Sequence, residues 1–344
     1  MRFVSPLLKN VLYPAMHYSG GLKRLSPTVG CAVVNYHGVF PSDFGARDRF
    51  IDGNLVSPEQ LQKQLRFLKT DYEVIAPADF RRWIHSSIVL PPRAVLITCD
   101  DGLASNLDML PILRDEGVRC LFFITGASCS ENPGILWYEE LYHILRSGTV
   151  EDGSLERVFG DSGKPPSSGA LHSVWWNAVL SASRLNREDR TDRIRRLGSK
   201  CKLEPKFSQK RGRLLDVNEV QQLSKADMSI GAHTMSHPVL SETNDAESFG
   251  EIRDSKLALE HALQQPVWAF AYPFGNPATM GKREVGLARK AGFECAFINE
   301  GAGFSRCSNP FKFPRTHITA DMSTAELEAH MIGFHMRLQR ALRG

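Results

Sequence analysis

The chain has 344 residues, 42% of them hydrophobic and 23% charged, a balance that supports a full apolar core and excludes disorder throughout. Its 42 basic and 38 acidic residues leave a formal charge of +4, too small an excess to imply a nucleic-acid partner. The seven cysteines are scattered and form no C-x-x-C pair, which argues against a disulfide framework or a structural zinc site and fits a reducing compartment.

At the start, Arg2 precedes Phe3, Val4, Leu7, Leu8, Val11 and Leu12, but Pro6 and Lys9 interrupt the run and no small-residue cleavage site follows. The segment does not read as a secretory signal, and no stretch of the chain approaches the roughly 18 to 20 continuous apolar residues that span a bilayer. Residues 1–28 read as an amphipathic segment that either packs on the domain or makes peripheral contact with a membrane. The expected location is the cytoplasm or the face of the inner membrane, with export left open.

The first strand is the β-rich run Cys31 to Tyr36, which ends at His37-Gly38. Ser57-Pro-Glu opens a helix with Leu61, Leu65 and Leu68 on one face. Tyr72 to Ile75 and Ala94 to Thr98 read as strands, the second a continuous apolar run suited to a buried parallel sheet. Leu107 to Glu116 has helical spacing and Cys120 to Thr125 is again a strand. This alternation predicts a parallel α/β architecture. Residues 129–212 change character to helices rich in Trp, Arg and Ser around a Gly/Pro/Ser loop at 161–169, and read as an insertion. Alternation then resumes: helix 216–225, strand 228–231, helix 247–263, strand 267–272, helix 283–291, strand 295–298, the segment Phe313 to Ile318, and a helix from Ser323 to about Leu342. The division that follows is 1–28, a domain over 29–335 containing the insertion, and a tail over 336–344.

Two features carry chemistry. Asp100 and Asp101 follow directly on a buried strand, at the end where α/β barrels assemble active sites. Carboxylates this close repel unless a cation or hydrogen bonds compensate them. His233 and His237 follow another strand, four residues apart, a spacing that on one helical turn puts both imidazoles on one face within reach of one ion. An Asp-Asp-Gly turn or a His pair alone would more often be structural; together at one barrel rim they point to a hydrolytic metal site.

As a set, Thr98-Cys-Asp100-Asp101-Gly102, Gly231-Ala-His233-Thr-Met-Ser-His237, Phe270-Ala-Tyr272-Pro273-Phe274-Gly275 and Phe313-Pro-Arg315 resemble the motifs of the polysaccharide deacetylases, the NodB-homology enzymes. Asn35-Tyr36-His37-Gly38 is similar to the early Tyr-His motif of exopolysaccharide deacetylases of the poly-N-acetylglucosamine type. The resemblance covers roughly residues 30 to 335. It implies a distorted (β/α) barrel with a helical insertion, and a metal-dependent deacetylase that hydrolyses the N-acetyl amide of an amino sugar in an exopolysaccharide or its lipid-linked precursor. Asp100 would be the general base, and Asp101, His233 and His237 would hold one divalent ion, zinc first, with nickel, cobalt or iron(II) as alternatives. Amide hydrolysis needs such an ion, an activated water and a proton donor for the leaving amine.

Three departures from the family pattern shape the remaining assignments. Cys99 replaces a common Phe and reads as a core residue. Ala271 stands where many members carry an arginine that orients the catalytic aspartate, so Arg315 becomes the candidate for that role. A late histidine motif is absent, leaving His37 as the candidate acid, with His317 second. Tyr272 (through its backbone amide, as an oxyanion donor), Pro273, Phe274 and Trp137 are expected at the glycan. Trp175-Trp176 read as helix packing, and the basic run 190–202 as a solvated face. Two other readings stay open: hydrolysis of a non-sugar amide or imide, and a carbohydrate-binding homologue without catalysis.

Overall fold

The run Ala94–Cys99, buried at every position, forms the central strand β3 of a parallel sheet, as continuous apolar strands covered on both faces do. The structure is a computed structural model describing residues 5–26, 30–40, 51–146, 171–199, 212–301 and 309–343. Its other strands are β1 (Cys31–Tyr36), β2 (Glu73–Ile75), β4 (Cys120–Ile124), β5 (Ser229–Ala232), β6 (Ala269–Ala271), β7 (Cys295–Phe297) and β8 (Thr316–His317). Their order is β7-β6-β5-β4-β3-β1-β8, with every neighbouring pair parallel. Strand β2 pairs with β3 at Ala94 to Leu96, and β4 takes over that edge from Ile97.

The sheet curls until its ends meet. Phe313 bridges Phe297 in parallel, and the Ile298 amide donates to the Phe313 carbonyl at 2.9 Å. A few residues on, Thr316 and His317 pair with Val34 and Asn35 of β1. One short segment thus ties β7 to β1 and makes a deformed (β/α) barrel, the architecture expected above. Because side chains alternate across a strand, the strands feed two cores. Val33, Leu96, Leu121, Phe123 and Phe297 meet Phe313, with Phe80 and Trp83, in one cluster. Val34, Ile97, Phe122, Ile230 and Phe270 face the helices in the other.

Those helices are α3 (Pro58–Asp71), α4 (Pro77–Ile84), α5 (Met109–Asp115), α9 (Val217–Lys225), α10 (Asp245–Leu263) and α11 (Lys282–Lys290). The Ser57 hydroxyl caps α3 by accepting from the Gln60 amide, and Asp216 with Glu219 forms a full capping box on α9. Between β4 and β5, α6 (Trp137–Arg146), α7 (Leu171–Ser183) and α8 (Arg187–Gly198) build a separate apolar cluster with Leu55, Leu103 and Val239. The loop at 161–169 lies outside the described residues.

Three local expectations need correction. Helix α4, with Pro77 at its first turn, was not anticipated. The single helix expected over 323–342 is two, α12 (Thr324–Met331) and α13 (Phe334–Arg343), separated where Gly333 takes φ +75°, a left-handed conformation that ends a helix. Helix α13 also occupies most of what read as a tail. Before β1, a π-helical turn Leu8–Leu12 leads into α1 (Tyr13–Tyr18) and α2 (Gly21–Leu25). The Tyr13 hydroxyl hydrogen-bonds His335 Nδ1 at 2.5 Å, His17 pairs with Glu328 at 2.5 Å and Lys9 with Glu326 at 3.2 Å. These contacts fasten the segment to α12 and α13.

Leu96 is fully buried at the middle of β3. Leu96→Ala is expected to lower the unfolding free energy by about 2–5 kcal/mol through lost burial and a residual cavity, read as a lower urea midpoint at unchanged slope.

Candidate metal centre and active site

The C-terminal ends of β1, β3, β5 and β6 deliver the chemistry. The β1–β3 register pairs Tyr36 with Cys99, so the next residues, His37 and Asp100, leave the sheet side by side, and the Asp100 amide donates to the Tyr36 carbonyl at 2.9 Å. At Asp101 the chain turns sharply with φ +77°. Thr234 (φ +62°), His237 (φ +58°) and Phe274 (φ +59°) share that left-handed geometry. Four of the eight non-glycine residues with positive φ among the described residues therefore line this mouth. Such conformations persist only where the surroundings over-determine them, typically at functional sites.

Asp100 is buried and held from three directions. Arg315 grips it with two parallel bonds, Nη1 to Oδ1 at 2.7 Å and Nη2 to Oδ2 at 2.6 Å. The Asn35 amide donates to Oδ2 at 2.9 Å, while Asn35 Oδ1 accepts from Arg315 Nη1 and from the Thr98 hydroxyl, each at 3.0 Å. Burial alone would raise the Asp100 pKa, but the Arg315 guanidinium and the nearby histidines outweigh it and hold the carboxyl below its usual range. Arg315 lies over the rings of Phe123 (5.3 Å) and Phe297 (6.0 Å). The arginine that the third motif lacks at Ala271 is thus supplied to the same carboxylate from the segment closing the barrel.

Asp101, His233 and His237 converge. His233 Nε2 and His237 Nε2 lie 3.4 and 3.3 Å from Asp101 Oδ1, and the three donor atoms lie within 4.8 Å of one another. These separations exceed the about 2.7–2.9 Å of a charge-assisted hydrogen bond. They match instead the roughly 3.3 Å edge of a tetrahedron with metal bonds of about 2.0–2.1 Å. His233 Nδ1 donates to the Ala271 carbonyl at 2.7 Å, which fixes the tautomer and leaves Nε2 with its lone pair toward Asp101. Burial disfavours a proton on His233, yet Asp100 and Asp101 together raise its pKa, and the imidazoles of His233 and His237 facing Asp101 hold its carboxyl well below the usual range. The pocket's negative excess attracts a positive charge. Donor set, spacing and electrostatics all fit one divalent cation, with a fourth position left for water or substrate as in catalytic zinc sites.

The histidine pair does not sit on a helical turn as its spacing suggested. His233 ends the extension of β5, and the left-handed Thr234 and His237 wrap a loop between them, closed by the His237 amide donating to the Thr234 hydroxyl at 3.0 Å. Arg190, Trp137 and Glu251 hold that loop, a part the sequence did not assign to them. Arg190 of α8 is buried, although the run it opens read as a solvated face; only members such as Arg195 and Arg196 are exposed. Arg190 donates to the Ser236 hydroxyl, and lies 4.9 Å over Trp137, whose Nε1 donates to the His237 carbonyl at 3.2 Å. Glu251 accepts from the Ser236 amide at 2.8 Å. Helices α6 and α8 thereby brace the loop carrying His233 and His237.

The remaining candidates divide. Tyr272 lies at the end of β6, but its amide already donates to the Phe297 carbonyl at 3.1 Å and its hydroxyl to the Phe311 carbonyl at 3.2 Å. It is a wall residue, and the oxyanion role expected for that amide is not supported: the pairing of β6 with β7 engages it in the sheet. Trp137 braces the loop from behind and is buried. Pro273 is buried as well, and Phe274 packs edge-on against His237 at 4.8 Å and against Trp176 at 5.2 Å. Tyr138, one residue beyond Trp137, reaches the centre instead. Burial and Asp101 push its phenol pKa well up, so it keeps its proton and donates to Asp101 Oδ2 at 3.5 Å. The signal for it was present in the aromatic pair, but not which of the two rings turns inward.

His37 is buried, and its Nδ1 has no hydrogen-bond partner among the described residues. Burial lowers its pKa, opposed by Asp101 and Asp100. His317 stacks edge-on against it at 4.8 Å, with Nδ1 3.1 Å from the Asn299 amide and Nε2 2.9 Å from Asn54 Oδ1. His330 and His335 stack on each other beside Tyr13, away from this mouth.

Residues 203–296, which include His233, His237 and the turn after Tyr272, match the model of the polysaccharide deacetylase family. No curated protein matches the sequence. Among solved structures the chain resembles a Streptococcus pyogenes deacetylase in complex with acetate (16% identity, 88% of this chain and 99% of that one, TM-score 0.54). It resembles IcaB from Ammonifex degensii equally (16%, 88% and 97%, 0.54) and a de-N-acetylase from Aggregatibacter actinomycetemcomitans (12%, 87% and 98%, 0.54). At these identities the likeness establishes the shared fold.

Removing the arginine would strand a buried carboxylate. Arg315→Met is expected to cost about 3–5 kcal/mol of stability in urea denaturation, and Asp100→Asn in the same chain to restore part of it, because the uncompensated charge is then gone.

Proposed function

We propose that this chain, a polysaccharide deacetylase by family model and fold, removes the N-acetyl group from an amino-sugar unit of an exopolysaccharide or its precursor, using one divalent ion. The observation supporting this most is the meeting at one mouth of three parts: a carboxylate fixed by Arg315 and Asn35, the cation-sized triad Asp101, His233 and His237, and His37 beside them. Family enzymes act on carbon–nitrogen bonds other than peptide bonds, and the required groups for that hydrolysis are all present.

A divalent ion held by the triad supplies Lewis acidity to the amide oxygen and to the attacking water; zinc suits two imidazoles and a carboxylate, and nickel, cobalt or iron(II) are accepted by the same donors. Asp100 takes the proton from water as its oxygen adds to the acetyl carbon. The Arg315 clamp keeps that carboxylate ionised and aimed, acting through Asp100 as a positioning residue. Collapse then breaks the carbon–nitrogen bond, with His37 giving a proton to the departing amine, and acetate and the free amino sugar leave. His37 suits this better than His317: its Nδ1 has no hydrogen-bond partner among the described residues, whereas both ring nitrogens of His317 are engaged by asparagines.

Purified protein is expected to release acetate from poly-N-acetylglucosamine or acetylated chitooligosaccharide, to lose activity on chelation, and to regain it with zinc, nickel, cobalt or iron(II). Asp100→Asn is expected to lower turnover about 10²- to 10⁴-fold without loss of fold. Acetate release from none of these glycans with any of the metals would remove the reading.

His37→Asn is expected to lower turnover by a similar factor, the loss shrinking on 4-nitrophenyl acetate, an ester whose phenolate leaves without protonation. His317→Asn should cost less than tenfold. The reverse ranking would transfer the acid role to His317.

A further inference from the structure

Leu8, Tyr13, Met16 and Leu22 of the first helices pack into the main core, but the same segment is apolar on its other side too. Six large hydrophobic side chains are exposed among the described residues, and four of them fall within residues 7–25: Leu7 (66%), Val11 (57%), Tyr18 (83%) and Leu25 (45%). Scattered exposed apolar residues need no explanation, whereas a concentrated patch marks a docking surface.

Charge is segregated to the same region. The first acidic residue of the chain is Asp43 and the last is Glu328. Before Asp43 stand Arg2, Lys9, Lys23 and Arg24; after Glu328 stand Arg337, Arg340 and Arg343. Lys9 and Lys23 are paired, with Glu326 and Asp71, while Arg24, Arg337 and Arg340 are exposed. The two ends are neighbours in space, since Phe334, the first residue of α13, packs edge-on against Tyr13 of α1 at 6.4 Å. Exposed apolar residues bordered by the exposed cations Arg24, Arg337 and Arg340, with the neighbouring acids Asp71 and Glu326 taken up by Lys23 and Lys9, match the interface of an anionic bilayer, where apolar side chains enter the headgroup boundary and each cation near the surface strengthens binding. A second copy of this chain fits poorly, because a two-fold contact would set the same cations against one another.

We propose that the outer face of residues 7–25, with Arg337 and Arg340 of α13, docks peripherally on an anionic lipid surface. Among the described residues no helix is long and apolar enough to cross a membrane, so attachment is by insertion of Leu7, Val11, Tyr18 and Leu25 to headgroup depth. Lys23 and its pairing with Asp71, together with the bond from Arg93 to the Lys23 carbonyl at 3.0 Å, set α2 beside the start of β3. The catalytic mouth lies at the other end of that strand. Docking there leaves the mouth open to a glycan held at or beyond the lipid surface.

The test is flotation of the full chain with phosphatidylcholine vesicles containing phosphatidylglycerol, against phosphatidylcholine alone. The chain is expected to float with the anionic vesicles and to be released by high salt. Arg24→Glu and Arg340→Glu should each weaken partition about fivefold or more. Leu7→Ser with Val11→Ser and Tyr18→Ser should weaken it more than tenfold, with an unchanged circular dichroism spectrum. Failure to float with anionic vesicles, or flotation by the serine variant equal to the unsubstituted chain, overturns the proposal. So does a dimer in light scattering that the serine substitutions dissolve, since the face would then belong to a second copy.

Discussion

Two buried carboxylates on adjacent residues are the constraint around which the mouth of this barrel is organised. Unscreened, they would repel and take up protons rather than stay ionised. The structure resolves the conflict by separating their partners. Asp100 turns to a guanidinium and an asparagine amide; Asp101, flipped by its left-handed backbone, turns to two imidazoles and a phenol. The first carboxylate is thereby neutralised by the protein itself. The second is not, and that residual negative charge, framed by histidine lone pairs, is what fits the pocket to a cation.

Barrel closure and catalytic electrostatics are linked through one segment. The chain between Phe313 and His317 completes the sheet between β7 and β1, and Arg315 lies within it, so the residue that compensates Asp100 arrives only when the last strand docks. Just before it, the Phe311 carbonyl accepts from the Tyr272 hydroxyl at 3.2 Å. Substitutions in this segment act on fold and site together.

Helices α6 to α8, between β4 and β5, have a comparable double role. They build their own apolar cluster, and from it Arg190 and Trp137 reach the loop between His233 and His237. Since the two histidines are not fixed by a helix, their convergence depends on this bracing and on Thr234. Metal ligands held by a loop need such outer partners if their geometry is to be kept when the site is empty.

By itself the sequence determined the alternating strands and helices, the positions of the strand ends, and the residue types gathered there: Asp100, Asp101, His233 and His237, with His37 and Arg315 as the less usual members. Strand ends are readable because burial forces an apolar run to stop where the polar residues begin. What only the tertiary structure decided depends on backbone turns and long-range neighbours that leave no local pattern. The loop path between the histidines, the inward turn of Tyr138 rather than Trp137, the burial of Arg190 on the same helix as the exposed Arg195 and Arg196, and the bridging of Asn35 between Arg315 and Asp100 are of this kind. In each, a polar or amphipathic side chain has its place set by a partner distant in sequence, and side-chain periodicity records only which way a residue faces, not what waits for it there.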